Sequence, residues 1–438
     1  MTHRITRRTA LKGVAASVAA PFVYRAHAHA APSETVLHVS VGANGMARSD
    51  IQSLTRNKHC KLVAVADVDE QRSGWIKKAF PGCQIFTDWR EMFDKVKFDS
   101  ANVSVPDHMH AAPTMRAIRS GKNVYTQKPL TQTLYEARQL TRAAREKKVV
   151  SQMGIQIHSS REHRAVVALI HDGAIGKVKE AHSWSGKQWG DPAPRPDRSD
   201  PVPANLSWDL WLGVAAARPF LGGGYYHPGN WRKRLDFGTG TYGDMGCHIL
   251  DPVFGAMGLT APTAVLSAGD APNKFNWPLN CEVAYTFPGS KYTTDTATVT
   301  WYNGDRRPPA AVSKLIAPHK FPLQGSVYIG TDGVLFSPYI GMPVLLPAEK
   351  FRGHKAPDVG SADHYGQFVE ACRGNGATSA PFDYSGPLTE MVLLGCLATR
   401  FPKTKLEWDA ANLKVTNVAE ANEVVRRKYR EGWEEAGL

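Results

Sequence analysis

Strand-like and helical segments alternate along the first third of the chain, and this alternation constrains the fold more than any other feature. Short apolar runs rich in β-branched residues lie at 36–41, 62–66, 102–105, 123–126 and 149–153. Helical patterns lie between them, most clearly at 113–120 and 134–147. Strands joined through helices run parallel, with right-handed crossovers. The sequence therefore predicts an α/β domain with a doubly wound, Rossmann-type parallel sheet.

The pattern changes after residue 155. Alternating segments without helices between them lie at 282–287, 292–302, 327–329 and 334–336. Such runs predict a large, mostly antiparallel open sheet within an α+β domain. Helical patterns return at 364–371, 388–400 and 419–427. We therefore predict a Rossmann domain at 33–155 and a second domain at 156–438, whose C-terminal helices are able to pack back on the first.

The first 32 residues have the composition of an export signal. Thr6-Arg7-Arg8 precedes a modest apolar run at 13–23, and Ala26-His27-Ala28 offers a small-x-small cleavage site. The apolar run is shorter than the roughly 20 residues needed to span a bilayer. Paired arginines before a weakly apolar core resemble a twin-arginine signal, which predicts an exported, periplasmic protein. The alternative is a basic amphipathic start without export.

Charge and cysteine usage exclude several classes of protein. The formal net charge is +13, and the cations are spread along the chain rather than gathered in one arm. This favours a solvated basic surface over a nucleic-acid footprint, although it also suits an anionic sugar. The six cysteines have no C-x-x-C spacing, so neither a metal ribbon nor a disulfide scaffold is expected. No disulfide pair can be chosen from the sequence.

The segment from Gly42 to Ala47 lies between the first strand and the first helix, where a pyrophosphate-binding turn belongs. Such a turn needs close backbone approach, and the helix N-terminus then presents free N–H groups to the phosphates. Gly42 and Gly45 fit the G-x-G-x-x-G pattern, and Met46 and Ala47 open the helix. Asn44 departs from it at the second position. An ordinary strand–helix turn is the alternative.

Two further strand ends extend this predicted nucleotide site. Asp67 follows the second strand, 20 residues beyond Ala47. A carboxylate there binds the adenosine ribose and repels a 2′-phosphate, which favours NAD, whereas Arg72 keeps NADP open. The next strand ends in a run from which we expect three residues near the cofactor: Pro106, His108 and His110.

Lys128 is the strongest catalytic candidate. It follows a strand in the run Gln127-Lys128-Pro129, at the junction of the two predicted domains. Oxidising an alcohol requires that a proton leave the oxygen while hydride leaves the carbon, and a lysine there can act on that oxygen. Farther along, Asp244 and His248 are four residues apart and so share one face of a helix. A metal site would need a third ligand, which the spacing does not supply, so none is expected.

These motifs resemble the Gfo/Idh/MocA family of sugar and polyol oxidoreductases. The resemblance covers the glycine turn, Asp67, Gln127-Lys128-Pro129, Gln156 and Asp244-x-x-x-His248. It implies a Rossmann domain followed by a substrate-binding domain whose open sheet commonly forms homo-oligomer contacts. It also implies that Lys128, Asp244 and His248 surround the reacting hydroxyl. The family usually has glutamate where this chain has Gln127.

Within that resemblance we expect His248 to accept the proton, Lys128 to polarise the oxygen, and Asp244 to orient both or bind a neighbouring hydroxyl. The roles of lysine and histidine are exchangeable. Gln127, Lys128 and Gln156 are expected to contact the cofactor as well. Aromatic rings stack on sugars and amides pair with hydroxyls, which gives a set of candidate substrate contacts: Tyr125, Gln156, His158, Trp231, Arg232 and Tyr242.

The sequence thus predicts an exported NAD(P)-dependent oxidoreductase that acts on a ring hydroxyl of a sugar or polyol with a tightly bound cofactor. One alternative is an NAD-dependent glycosidase that oxidises the ring transiently, eliminates the substituent, adds water and reduces again. It needs an additional base, which the sequence does not single out. A sugar-binding module without catalysis is the remaining alternative. We expect no nucleic-acid partner, no stable membrane span, and a homo-oligomer.

Overall fold

The computed structural model describes residues 34–354 and 357–438. The predicted export signal, residues 1–32, therefore lies outside the described residues. Within the two described ranges, no helix combines the length and apolarity required to cross a bilayer.

The first sheet consists of six parallel strands. These are β1 (Val36–Val41), β2 (Cys60–Ala66), β3 (Gln84–Phe86), β4 (Ser100–Val103), β5 (Asn123–Gln127) and β6 (Ser151–Gly154). Their order across the sheet is β3-β2-β1-β4-β5-β6. The winding direction reverses between β1 and β4, and such a reversal creates a crevice at the carboxyl ends of the strands. The predicted doubly wound parallel sheet is confirmed.

Helices cover this sheet and connect its strands. They are α1 (Met46–Leu54), α2 (Glu70–Ser73), α3 (Trp75–Ala79), α4 (Trp89–Lys95), α5 (Ala111–Arg119) and α6 (Leu134–Lys147). The start of α6 is fixed by a capping box, in which the Thr133 hydroxyl accepts the Glu136 N–H and the Glu136 carboxylate accepts the Thr133 N–H. Its end is fixed by Lys148, whose φ of 54° is left-handed.

The second sheet has nine strands. They are β7 (Val178–Ser185), β8 (Ala264–Ser267), β9 (Cys281–Pro288), β10 (Thr293–Asn303), β11 (Gln324–Gly330), β12 (Val334–Ser337), β13 (Val344–Leu346), β14 (Lys405–Asp409) and β15 (Lys414–Val415). Their order is β13-β12-β11-β7-β10-β9-β8-β14-β15, and only the β7–β10 pair among them is parallel. The predicted, mostly antiparallel sheet is confirmed.

The remaining helices follow β6 or lie between strands of the second sheet. They are α7 (Arg161–His171), α8 (Trp208–Leu212), α9 (Gly240–Ile249), α10 (Asp251–Ala256), α11 (Ala310–Leu315), α12 (His364–Cys372) and α13 (Phe382–Ala398). The helix predicted at 419–427 is instead a 3-10 helix, Ala419–Val424. The Asn422 side chain donates to the Ala419 carbonyl oxygen of the same helix at 3.2 Å, which competes with regular helix hydrogen bonding.

One hydrophobic core runs through both sheets. Val39 and Val103 of the first sheet belong to the same buried cluster as Val283 and Trp301 of the second. Helix α13 is buried on nearly all sides because it packs against α6 and β6 as well as against α9 and β8. Each of its fully buried leucines contributes about 1.5–3 kcal/mol. Helix α12 packs on α1, so both C-terminal helices fix the relative position of the domains.

Candidate active site

A cavity of about 510 Å³ lies between the two domains, at the carboxyl ends of the first sheet's strands. From the first domain its walls contain Gly42, Asn44, Gly45, Met46, Asp67, Arg72, Pro106, Asp107, His110, Gln127 and Lys128. From the second they contain Lys187, Trp189, Trp211, His227, Trp231, Arg232, Asp244 and His248. This is the crevice in which open α/β sheets bind ligands.

The glycine turn at one end of this cavity fits a dinucleotide phosphate. Gly42 has a φ of 97°, and a Cβ on it would lie 2.4 Å from the Ser104 carbonyl oxygen, so the position requires glycine. Gly45 precedes α1 without a side-chain cap, which leaves the first N–H groups of this helix available to an anion. Ala47 does not line the cavity; it is fully buried beside Gly42 and allows close packing there.

Asn44, which departs from the glycine pattern, is held by local hydrogen bonds. Its Oδ1 accepts the Gly45 N–H at 2.7 Å, and its Nδ2 donates to the Arg72 carbonyl at 3.0 Å. Close by, Asp67 accepts the N–H groups of Ala43 at 2.9 Å and Asp69 at 3.0 Å. Burial raises the pKa of Asp67, while these two bonds work in the opposite direction. Asp67 and Arg72 line the same cavity, so the carboxylate that would favour NAD and the guanidinium that would favour NADP are both able to contact a nucleotide bound there.

A buried carboxyl group lies beneath Gln127, the position where the family has glutamate. Gln127 Nε2 donates to both oxygens of Asp50, at 3.1 and 2.9 Å. Asp50 also accepts bonds from the Ser104 hydroxyl at 2.7 Å and the Tyr365 hydroxyl at 2.9 Å. Burial raises the pKa of Asp50 to about 6. A carboxyl group therefore lies beside position 127 although the residue there is glutamine; α1 supplies it, and sequence reasoning missed it. The sequence did contain one indication of this carboxyl group, because Asp50 lies on the apolar, buried face of α1.

Lys128 and Asp244 form an ion pair that joins the two domains. Lys128 Nζ donates to Asp244 Oδ1 at 2.7 Å and to the Asp244 carbonyl at 2.9 Å. Arg232 Nε and Lys187 Nζ approach the same carboxylate at 3.4 and 3.6 Å. Burial alone would raise the pKa of Asp244, but the three cations outweigh it and hold that pKa below its ordinary value. Asp244 is therefore ionised.

His248 lies one turn beyond Asp244 on α9 and lines the same cavity. Its Nδ1 is buried and finds no hydrogen-bond partner among the residues that the structure describes. Burial and the neighbouring Lys128 ammonium lower the pKa of His248 to about 3. The imidazole is consequently neutral near pH 7, with one ring nitrogen that carries no proton.

Asp107 is a cavity residue that sequence reasoning did not single out, although it lies between Pro106 and His108. It is almost fully buried and accepts a hydrogen bond from the Thr239 hydroxyl at 2.7 Å. Burial raises the pKa of Asp107 to about 7. Lys187 and Trp189, which follow β7, were missed as well. The sequence does not show which strands pair with β7, so it could not predict that the loop after β7 reaches the cavity.

Other predicted contacts do reach the cavity. Pro106 lines it, and so does His110, whose ring nitrogens lie 2.7 and 2.8 Å from the carbonyl oxygens of Pro129 and Val105. Trp231 and Arg232 line it from the 3-10 helix Asn230–Lys233, with the guanidinium 4.2 Å above the indole ring.

Tyr125 and Tyr242, predicted as substrate contacts, are core residues instead. Tyr125 is fully buried and stacks on Tyr365 with ring centroids 5.5 Å apart. Tyr242 is buried against Trp301 and hydrogen-bonds to Tyr285. Neither lines the cavity: Tyr242 packs in the core that spans both sheets, and Tyr125 packs in a separate buried cluster with Phe368 of α12.

Three polar predictions also lie away from the cavity walls. His108 is enclosed by Trp211 and Phe237 and bonds the Trp211 carbonyl oxygen at 3.2 Å. Gln156 donates to the hydroxyls of Tyr125 and Tyr365, and His158 bonds the buried Asp251 carboxylate at 3.0 Å. The 3-10 helix Gln156–Ser159 directs these last two toward α12 and α10, which the sequence could not indicate.

A cover segment, residues 186–239 between β7 and α9, closes the cavity from the second domain. It has its own aromatic cluster, which includes Trp211 and Trp231. Its contacts with the first domain include Asp69, which accepts bonds from His227 Nε2 at 2.9 Å and Asn205 Nδ2 at 2.7 Å. The cover segment thus binds Asp69, two residues after Asp67, and lies over the crevice.

The residues present fit a nicotinamide dinucleotide. The glycine turn and the uncapped α1 would hold its phosphates, Asp67 would accept bonds from a ribose, and Lys128 with His248 would lie at the reactive end. Within residues 34–354 and 357–438, no group of three or more His, Cys, Asp or Glu is arranged to hold a metal.

Comparison with known proteins identifies the family to which both domains are similar. Residues 37–155 match the Gfo/Idh/MocA model described as an oxidoreductase family with an NAD-binding Rossmann fold. Residues 176–277 match the model of that family's C-terminal alpha/beta domain.

Individual relatives are distant. The 1,5-anhydro-D-fructose reductase of Ensifer adhaerens is 29% identical over 137 residues, which are 31% of this chain and 41% of that protein. The inositol 2-dehydrogenase of Rubrobacter xylanophilus is 28% identical over 155 residues, 35% of this chain and 44% of that protein. The chain thus matches less than half the length of these curated relatives.

Among solved structures, the WlbA dehydrogenase from Bordetella pertussis in complex with NADH and UDP-GlcNAcA superposes with a TM-score of 0.62 at 11% identity. The superposition covers 86% of this chain and 99% of that one, and it shows a shared fold. From the two domain matches and the arrangement of the cavity, this chain belongs to the Gfo/Idh/MocA family of oxidoreductases.

Proposed function

We propose that this protein transfers hydride between a ring hydroxyl of a sugar or polyol and a nicotinamide cofactor. One observation carries the proposal: Lys128 from the first domain meets Asp244 and His248 from the second, in the cavity that begins at the glycine turn. When bound, the cofactor supplies the ring that takes up or returns the hydride. The names of the relatives, a sugar reductase and a polyol dehydrogenase, support this substrate class.

The chain's own residues handle the proton. The neutral imidazole of His248 accepts it from the substrate hydroxyl, and the Lys128 ammonium polarises the same oxygen. Ionised Asp244 holds Lys128 in place through the 2.7 Å ion pair. The exchanged assignment, in which Lys128 takes the proton, uses the same geometry. Positioned acid–base groups of this kind accelerate the reaction about 10²–10⁴-fold.

The cofactor is NAD, and it stays bound between turnovers. Asp67 in the ribose position disfavours the additional phosphate of NADP. The cover segment, joined to the first domain through Asp69, obstructs release of a dinucleotide. A second substrate then restores the cofactor's starting redox state while it remains in the cavity.

The test begins with gently purified protein. Mass spectrometry of released small molecules identifies the nucleotide, and absorbance of reduced nicotinamide is then followed while a panel of sugars and polyols is added. We expect the released nucleotide to be NAD or NADH, and the absorbance of reduced nicotinamide to change when at least one polyol is added. Protein that carries no nucleotide and binds none on incubation with NAD would instead be a sugar-binding module.

A redox-assisted glycosidase is the second candidate, and Asp107 favours it. That chemistry needs a base for the acidic ring proton, and Asp107 is a cavity carboxyl with a pKa of about 7. Release of an aglycone from a glycoside, without net change in cofactor absorbance and abolished in Asp107→Asn, would select this reaction over net oxidation.

The protein acts outside the cytoplasm as a homo-oligomer. Residues 1–32 carry the paired Arg7 and Arg8, and twin-arginine export moves folded proteins, which suits an enzyme loaded with its nucleotide beforehand. Fractionation of cells that express the Arg7→Lys, Arg8→Lys double variant tests the route, with cytoplasmic retention expected. Light scattering of the mature protein tests the assembly, with a mass above one chain expected.

A further inference from the structure

A second cavity, of about 320 Å³, lies behind the catalytic cavity, and the two share no wall residue. Helix α13, residues 423–428 and the end of the cover segment enclose it. Its walls carry more positive than negative charge, with Arg218, Arg400, Arg426, Arg427 and Lys428 set against Asp236 and Glu423. Thr239 also lines it and donates a hydrogen bond to Asp107 of the catalytic cavity.

Arg400 is a cation of this cavity without a matched anion. Its Nε is buried and has no hydrogen-bond partner in the described part of the chain. The guanidinium lies 5.3 Å from the Trp277 ring centroid. The neighbouring carboxylate, Asp236, is bound by Arg218 at 2.6 Å. A buried N–H donor without a hydrogen-bond partner is costly, so the position of this Nε favours a partner from solution.

Arg427 repeats this feature in the same cavity. Its Nη1 bonds Gln132 and the Asp236 carbonyl, but its Nε is buried and also lacks a partner among the described residues. Two arginine forks with unused donors thus line one cavity. Exposed Arg426 and Lys428 add positive charge at its edge, which attracts anions by long-range electrostatics.

No aspartate or glutamate outside the described ranges is available as the missing partner. Residues 1–33 and 355–356, which lie outside the described ranges, contain no aspartate or glutamate. We propose that the second cavity binds a small oxyanion, a phosphate- or carboxylate-bearing molecule such as an acidic sugar, through Arg400 and Arg427. The planar guanidinium matches both anions with paired hydrogen bonds. This site is separate from the proposed redox site.

Binding is measured by calorimetry and thermal unfolding on protein saturated with NAD, so that the glycine turn is occupied. The probes are inorganic phosphate, gluconate and glucose 6-phosphate, each compared with sodium chloride at equal ionic strength. We expect at least one probe to raise the unfolding temperature, and Arg400→Met to weaken its binding about ten-fold or more. Arg142→Met, at an exposed arginine of α6, serves as the matched control and keeps the response.

The arms of the experiment separate the alternatives. A response to phosphate and glucose 6-phosphate alone identifies a phosphate ligand, and a response to gluconate alone identifies a carboxylate. Arg400→Lys keeps the charge without the fork and is expected to bind with intermediate affinity. An anion response that persists in Arg400→Met, or that disappears once NAD is saturating, overturns the proposal. So does a wild-type protein that responds to none of the probes.

Discussion

Lys128 Nζ lies 2.7 Å from Asp244 Oδ1, although the two residues are 116 positions apart in the chain. The pair connects the carboxyl end of β5 to the first turns of α9, and therefore one domain to the other. Because Arg232 and Lys187 also approach Asp244, the carboxylate remains compensated when Lys128 is altered. The contribution of Lys128 to chemistry can thus be separated from its contribution to folding.

Lys128→Met is expected to lower kcat about 10³-fold, because the substrate oxygen loses its polarising cation. Affinity for NAD, measured by fluorescence titration, is expected to change little. Steady-state kinetics on the substrate identified from the panel gives the rate. Lys61→Met, at an exposed position of β2, is the control. A Lys128→Met enzyme with wild-type kcat would contradict the catalytic assignment.

Gln127→Glu is expected to make stability depend on pH, because it places a second carboxyl about 3 Å from Asp50. Two such groups share a proton, so their joint pKa rises and the stability present at low pH is lost as pH increases. We expect a loss of about 1–3 kcal/mol between pH 5 and 8 relative to wild type, measured by urea unfolding.

The double variant Asp50→Asn, Gln127→Glu restores a single carboxyl at the family's position. It is expected to lack the additional pH dependence and to recover most of the stability. Equal pH dependence in the single and double variants would show that Asp50 and Gln127 are not coupled.

Asp67→Ser is expected to weaken NAD binding about ten-fold and to improve NADP binding, because a repulsive carboxylate is removed beside Arg72. Dissociation constants for both nucleotides are measured by fluorescence. Arg72→Gln is the matched variant and should weaken NADP alone in the Asp67→Ser background. An unchanged preference in Asp67→Ser would remove Asp67 from nucleotide selection.

His227→Ala is expected to speed cofactor release about ten-fold or more, because it breaks one of the two side-chain bonds by which the cover segment holds Asp69, the one at 2.9 Å. Exchange of bound NAD against isotopically labelled NAD gives the rate. Exposed His319→Ala should leave it unchanged. Release at the wild-type rate from His227→Ala would mean that this bond does not retain the nucleotide.

His38→Gln is expected to reduce the acid sensitivity of folding. Burial lowers the pKa of His38 to about 4, from an ordinary value of about 6.5. Between these pH values the unfolded chain binds a proton that the native state does not, so stability is lost as pH falls through this window.

At pH 5 the loss from His38 amounts to about 2 kcal/mol relative to pH 7. Glutamine can replace both hydrogen bonds, to Ser100 and Asn102. Urea unfolding at pH 7 and pH 5 should show a smaller difference for His38→Gln by about this amount, while His319→Gln behaves as wild type. Raised pKa values at Asp50 and Asp107 act in the opposite direction, so the comparison between variants, rather than the absolute slope, tests the assignment.

Local patterns were sufficient for the motifs that depend on backbone chemistry. Gly42 and Gly45 follow a strand and precede a helix, and their positions are dictated by close approach and positive φ. The spacing of Asp244 and His248 placed both on one helix face, because a helical turn brings such residues together. The alternation of strands and helices likewise predicted the parallel sheet, and alternating segments without intervening helices predicted the mostly antiparallel one.

Tertiary structure alone decided which polar residues face the cavity. Tyr125, Tyr242 and His158 have the chemistry of substrate contacts, yet long-range packing buries them or turns them away. Asp50 acquired its role through Gln127, which is 77 positions distant in the sequence. Side-chain environment is set by residues that are remote along the chain, and local sequence carries no record of which remote groups will meet.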